Sequence, residues 1–364
     1  MRSRYGAGDG LLGELAVSLA SGLILAGGAK LLAVVALLPA NGFVPTWLFA
    51  SVVPVTALTA FFVTRRVGQR RQVFVVVSAF VPTRWLAVLL ADLVRALDRH
   101  GLDVVVKLPE YDHSSQTEIR QLAALRAKRR AYLGGFVVVV EPERIRRELT
   151  DFCTASRLPI VFLDIRPFPS TDVYPPRTAF VGCSPEAIGR DAARWIGDEL
   201  LERGVQQPRV LVVAGEAQTG RQARFASELR ERLPSARIIV NTHGWFARDR
   251  AREIVDRQLR QLHRRGERLD AIYCTNDEMA LGAADAVQEH AAAGSARDHV
   301  IIVGVDGIPE AIATIKSGGT PLEATIVQDT RRIAEVATDV LLRLRAGERP
   351  ETEQWVPTAI YPIQ

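Results

Sequence analysis

The sequence predicts an α/β protein of two lobes built on parallel sheets, preceded by an N-terminal two-helix transmembrane hairpin. Three observations predict it. No charged side chain occurs between Leu31 and Thr64. From residue 73 onward, short β-branched runs alternate with longer amphipathic ones. That alternation continues through residues 73–364, a length that accommodates two lobes of ordinary domain size.

The hairpin comes first. A hydrocarbon core about 30 Å thick takes roughly 20 apolar residues per helix. Spans at about 15–38 and about 46–63 fit, separated by the turn-forming cluster Pro39-Ala40-Asn41-Gly42-Phe43-Val44-Pro45. Pro54 interrupts the second span, and Lys30 lies inside the first. A lone Lys at that depth costs about 2.5 to 3.5 kcal/mol, which leaves it to snorkel, to face the partner helix or to mark a site. The second span and the want of a small-residue cleavage site argue against a cleaved signal peptide. Arg2 and Arg4 precede the first span, the turn is uncharged, and Arg65, Arg66, Arg70 and Arg71 follow the second. The positive-inside rule then places both ends in the cytoplasm, with an extracytoplasmic domain as the alternative. The expected organisation is a hairpin and basic juxtamembrane segment over 1–72 and a binding domain over 73–364, at a cell (inner) membrane.

Composition excludes several classes. The net charge of +5 owes much to the juxtamembrane arginines, which favour anionic headgroups rather than nucleic acid. Cys153, Cys183 and Cys274 are odd in number and far apart, so they form neither a disulfide framework nor a metal spacing. The six histidines show no H-x-x-x-H arrangement. No cofactor or metal is expected. The stretch from Gly215 to Gly220 lacks the Lys-Ser/Thr of a phosphate-binding loop, and no Ser/His/Asp order or paired acid/base motif stands out.

The soluble part reads as strands at 73–78, 102–108, 136–140, 159–164, 210–214, 238–241, 271–275 and 300–305. Runs so continuously apolar suit strands buried on both faces. Between them lie amphipathic helices. Leu86, Leu89, Leu90, Leu93 and Leu97 line one face of the first, which His100-Gly101 ends, and 185–203, 220–233, 248–265 and 278–290 follow the same style. Repeated βα units specify parallel sheets, whose ligands lie beyond the carboxyl ends of the strands. Ser78, Asp164, Asn276, Asp306 and Gln328 stand at such ends and would together make a polar cleft. Each has a structural alternative: Thr275-Asn276-Asp277-Glu278 is also a helix start, and Asp306-Gly307 a common turn pair.

The stretch Ala271-Ile272-Tyr273-Cys274-Thr275-Asn276-Asp277-Glu278-Met279-Ala280-Leu281-Gly282-Ala283, with Val303-Gly304-Val305-Asp306-Gly307 and Ala324-Thr325-Ile326-Val327-Gln328, closely resembles the ribose-type sugar-binding proteins of the type I periplasmic binding protein superfamily. Lactose-repressor-type regulators share that fold. The resemblance covers about 73–363 and implies two lobes joined by three hinge strands: one of about 73–178 and 329–354, the other of about 179–328 and 355–364. It implies that Asn276, Asp306 and Gln328 contact a sugar and that Asp164 is the acid of an Asp-Arg pair, here spaced as Asp164-Ile165-Arg166. Ser78 and Trp85 match a polar and an aromatic contact, while Pro82 and Arg84 replace the usual Asn and first Phe. Trp245 falls near another aromatic position, and Arg221 lies one residue from the second-lobe Arg register.

Sugar hydroxyls donate and accept at once, so carboxylates, amides and guanidinium groups suit them, and an indole covers the apolar ring face. The expected function is a membrane-anchored receptor that binds a sugar or similar small polar ligand and relays lobe closure to a signalling partner. The alternative is the tethered solute-binding component of a sugar ABC importer, with a permease as partner. A transcription regulator lacks its helix-turn-helix here, and an enzyme lacks a catalytic set. A binding pair of lobes retained for protein contacts is a further reading.

Overall fold

The computed structural model describes residues 72–77, 84–110, 114–215, 220–292 and 299–362. The expected hairpin and Ser78 lie outside the described residues. Among the described residues no helix is long and apolar enough to cross a membrane.

The chain builds two six-stranded sheets among the described residues. The first contains β1 (Gln72–Val76), β2 (Asp103–Lys107), β3 (Tyr132–Val138), β4 (Ile160–Leu163), β5 (Thr178–Gly182) and β11 (Glu353–Trp355), in the order β11-β5-β4-β3-β1-β2. The second contains β6 (Arg209–Val213), β7 (Arg237–Asn241), β8 (Ala271–Cys274), β9 (Ile301–Asp306), β10 (Leu322–Gln328) and β12 (Thr358–Tyr361), in the order β12-β10-β9-β8-β6-β7. All pairings are parallel except β10 with β12. The central strands are apolar and buried along nearly their whole length, as strands covered on both faces must be.

Nine helices cover the sheets among the described residues: α1 (Arg84–Asp98), α2 (Ser115–Ala127), α3 (Pro142–Ser156), α4 (Pro185–Glu202), α5 (Gly220–Arg232), α6 (Arg248–His263), α7 (Asp277–Ala292), α8 (Pro309–Ser317) and α9 (Thr330–Ala346). The chain leaves the first sheet after Gly182, beyond the boundary expected near Thr178, returns after Gln328, and passes across again between Trp355 and Thr358. Two of these crossings start a helix directly. Ser184 accepts a hydrogen bond from the Ala187 amide at the head of α4, and Asp329 from the Arg332 amide at the head of α9. Such caps satisfy amides a helix start leaves open, and they fix where each hinge ends.

Sequence periodicity misplaces β3, which begins at Tyr132 rather than near 136 and contains Gly134-Gly135. The glycines are packing devices here, not a turn. A Cβ on Gly135 would lie 2.3 Å from the Phe74 ring, and one on Gly134 would lie 2.6 Å from the Pro159 carbonyl. The hinge strands β11 and β12 are too short to show any period.

Candidate functional site

Strand order locates the site before any side chain is considered. In both sheets the connections reverse direction at the strand that opens the unit, between β1 and β3 and between β6 and β8. A crevice forms where successive connections leave toward opposite faces, and ligands of open α/β sheets bind there, beyond the strand carboxyl ends. In lobe two the Thr275 hydroxyl accepts from the Gly215 amide at 3.2 Å, tying the tips of β6 and β8 together at that point.

Arg221 rises from the first turn of α5 over these tips. Its Nη1 donates to the Thr275 carbonyl at 2.9 Å, and its Nη2 reaches to 3.9 Å from Oδ1 of Asp164, which follows β4 in lobe one. Asp306 ends β9 and Gln328 ends β10, the adjacent strand. Gln328 Nε2 donates to Asp306 Oδ1 at 2.8 Å, and both side chains are buried. Asp164 (φ 66°) and Asp306 (φ 119°) have left-handed backbones that non-glycine residues rarely adopt. Strain of this kind persists where the surroundings hold it, and it gathers at functional sites.

Electrostatics bind the group together. Burial raises the Asp306 carboxyl well above the ordinary range, Arg221 opposes the rise, and Asp277 and Asp164 add to it. The Cys183 thiol, at the first crossing, is pushed up to about 12 by burial and feels Arg221, Asp164, Asp306 and Asp329. The Asp306 carboxyl beside an amide and a guanidinium offers both donors and acceptors, the combination that hydroxyl groups require.

The remaining expected residues lie elsewhere or have structural partners. Arg166 turns back onto its own loop, where Nε donates to the Phe168 carbonyl at 3.1 Å, Nη2 donates to the Pro169 carbonyl, and Glu353 lies 3.6 Å away. The Asn276 carbonyl oxygen accepts from the Met279 amide as the cap of α7, and its Nδ2 donates to the Phe246 carbonyl at 3.3 Å. Trp85 is buried in lobe one, and its indole nitrogen has no hydrogen-bond partner among the described residues. Trp245 is 61% exposed, with the Arg250 guanidinium 5.5 Å from its ring centre. The neighbouring Phe246 lies over Gly215 instead, where a Cβ would meet its ring at 2.4 Å.

Two further contributors emerge from the fold. Buried Asp277 accepts from the Thr325 hydroxyl at 2.7 Å and from the Ile308 amide at 2.8 Å, so one carboxylate anchors α7 to the tip of β9 and to β10. Only its place in the Asn-Asp-Glu run hinted at this. Arg84, at the head of α1 in lobe one, pairs across the gap with Glu310 and, at 3.3 Å, with Glu278. Glu310 also holds Arg248 at 2.8 Å. Among the described residues no cluster of His, Cys, Asp and Glu has the makings of a metal site.

Comparison with known proteins agrees with this architecture. A D-allose-binding periplasmic protein of Escherichia coli is 28% identical over 164 residues, which are 45% of this chain and 50% of that protein. The chain thus spans half the length of that relative. A solved ABC transporter periplasmic solute-binding protein from Actinobacillus succinogenes with bound D-allose superposes with a TM-score of 0.68 at 18% identity, covering 79% of this chain and 96% of its own. The fructose-binding periplasmic domain of a hybrid two-component system gives a TM-score of 0.66 at 17% identity, covering 79% and 89%. At such identities the likeness concerns the fold alone. Residues 73–349 match the family model described as a periplasmic binding protein domain. The chain belongs to the periplasmic binding protein family, of the type I, ribose-like kind, whose members bind ligands rather than transform them.

Proposed function

We propose that the protein is a membrane-anchored receptor that closes its lobes over a sugar or similar small polar ligand and relays the closed state to a partner. The carrying observation is that Asp164 of one lobe comes within 3.9 Å of Arg221 of the other, and that both act electrostatically on Asp306, which is bonded to Gln328. A ligand held by both lobes binds the closed form better than the open one, and that difference shifts the population. Relatives described as binding allose and fructose support a sugar, and the two-component neighbour supports a relay. Anchoring rests on the two apolar spans of the sequence. Thermal-shift measurements of residues 73–364 against pentoses, hexoses and cyclic polyols test the reading. A melting point unmoved by the whole panel contradicts it.

A second reading, the tethered solute-binding component of a sugar importer, is favoured by the transporter description of the Actinobacillus protein. It requires residues 73–364 outside the cytoplasm, as the family name suggests, whereas the flanking arginines favour the inside. A reporter fused after Gln364 separates the two. Activity restricted to the extracytoplasmic side supports the importer component, and activity on the cytoplasmic side supports the internal receptor.

A further inference from the structure

Parallel strands all begin at one end of their sheet, so the base of lobe one gathers the segments that precede its strands and follow its helices. Gln72, the first residue of β1, pairs there with Asp103 and Tyr132. Just before Tyr132 stand Arg126, Lys128, Arg129 and Arg130, all exposed. Arg177, which precedes β5, donates Nη1 to the Arg157 carbonyl at 3.2 Å and Nη2 to the Leu344 carbonyl at 3.5 Å. Those bonds join the end of α3 to the end of α9, where Arg345 and Arg349 are exposed.

Among the described residues none of these cations has a carboxylate partner at ion-pair distance. The acids at this end are fewer: Glu348 is held by Arg343 at 2.9 Å, and Asp98, Asp103 and Glu351 are exposed. At the corresponding end of lobe two Arg203 pairs with Glu323 at 2.7 Å, Arg209 with Glu267 at 3.0 Å and Arg268 with Asp270 at 3.0 Å, while Arg237, Arg264 and Arg265 are exposed. The lobe-one base keeps a surplus of positive charge, which repels itself unless an anionic surface meets it.

We infer that the base of lobe one docks on a layer of anionic lipid headgroups. Two observations choose lipid over a protein or a nucleic acid. In sequence, β1 is preceded by Arg65, Arg66, Arg70 and Arg71 and, before them, by the charge-free stretch 31–64. The cations are also spread over the ends of α2, α3 and α9 and the start of β5, rather than strung along one helix. Asp164 follows the carboxyl end of β4, so docking by the base holds the ligand cleft away from the lipid.

The test uses the full chain with a fluorophore on Ala127→Cys at the lobe-one base, and a control on Gln207→Cys at the lobe-two base. Both positions are exposed, and the native cysteines are buried. The probe is vesicles of phosphatidylcholine, with or without phosphatidylglycerol, carrying a headgroup quencher. Expected is quenching at position 127 that requires phosphatidylglycerol and is reversed by salt, with position 207 unaffected. Each of Arg126→Gln, Arg129→Gln, Arg345→Gln and Arg349→Gln should weaken it about fivefold, with the melting temperature unchanged. Equal quenching on neutral vesicles, equal quenching at both positions, or none at position 127 overturns the inference. So does an oligonucleotide that protects position 127 where vesicles do not.

Discussion

Arg221 of lobe two approaches Asp164 of lobe one to 3.9 Å while its other nitrogen is bonded to the Thr275 carbonyl. One side chain thereby senses both the tip of its own sheet and the separation of the lobes. Its placement depends on helix packing. Gly189 of α4 lies so close to α5 that a Cβ would stand 2.1 Å from the Arg221 carbonyl oxygen. Gly189→Ala should therefore cost about 1 to 3 kcal/mol by overpacking and weaken ligand binding as well, because α5 must move. Denaturant melts and ligand titrations of the variant check both effects. Lost stability with unchanged affinity would show that Arg221 tolerates the shift.

Replacement of Asp306 by Asn should separate stability from binding. Burial already favours the neutral acid, so the variant keeps an acceptor for the Gln328 amide without a charge to desolvate. Its melting temperature should equal or exceed that of the wild type, while ligand affinity falls about tenfold or more through the lost carboxyl hydrogen bonds. Scanning calorimetry with and without ligand reads both quantities.

Stability should fall as pH rises toward neutrality. Burial pushes Glu118 from 4.5 up to about 8, partly offset by the Val140 amide that donates to it at 2.8 Å. Burial likewise raises Asp277 from 3.8 to about 7. A carboxyl with a raised folded value binds its proton more tightly when folded, so the native state is favoured at low pH and loses that advantage between the two values, by at most about 1.4 kcal/mol per group per pH unit. Glu118→Gln should flatten the melting profile between about pH 5 and 8 and raise the melting temperature at the upper end. A steeper profile in the variant would contradict the assignment.

The Arg84 clasp to Glu278 and Glu310 should act on closure rather than folding. Arg84 is about half exposed, so each pair is worth no more than about 1 kcal/mol and is screened by salt. Arg84→Ala should raise the ligand off-rate about two- to fivefold at low salt and leave the melting temperature unchanged. Stopped-flow displacement at two ionic strengths measures it.

Much of this architecture is legible in the residues themselves. Strands such as Ile160–Leu163 and the Ile301–Val305 part of β9 are apolar because both faces are covered, and the polar residues at their carboxyl ends mark the cleft. Arg166 shows where such reading stops. Its direction is set by the left-handed Asp164 and by Glu353, which lies in a distant hinge strand and leaves no trace in the local pattern. Trp245 and Phe246 both have positive φ, and only the fold determines that Phe246 covers Gly215 while Trp245 faces outward. The Arg84 clasp joins residues more than a hundred positions apart and depends wholly on how the lobes meet.

The most direct measurement of the central claim is titration calorimetry of residues 73–364 with sugars and cyclic polyols, beside the Asp306→Ala, Gln328→Ala double variant. Saturable one-site binding of at least one such compound by the wild-type domain is expected, with its loss in a double variant that still unfolds cooperatively. Equal binding by both proteins would contradict it.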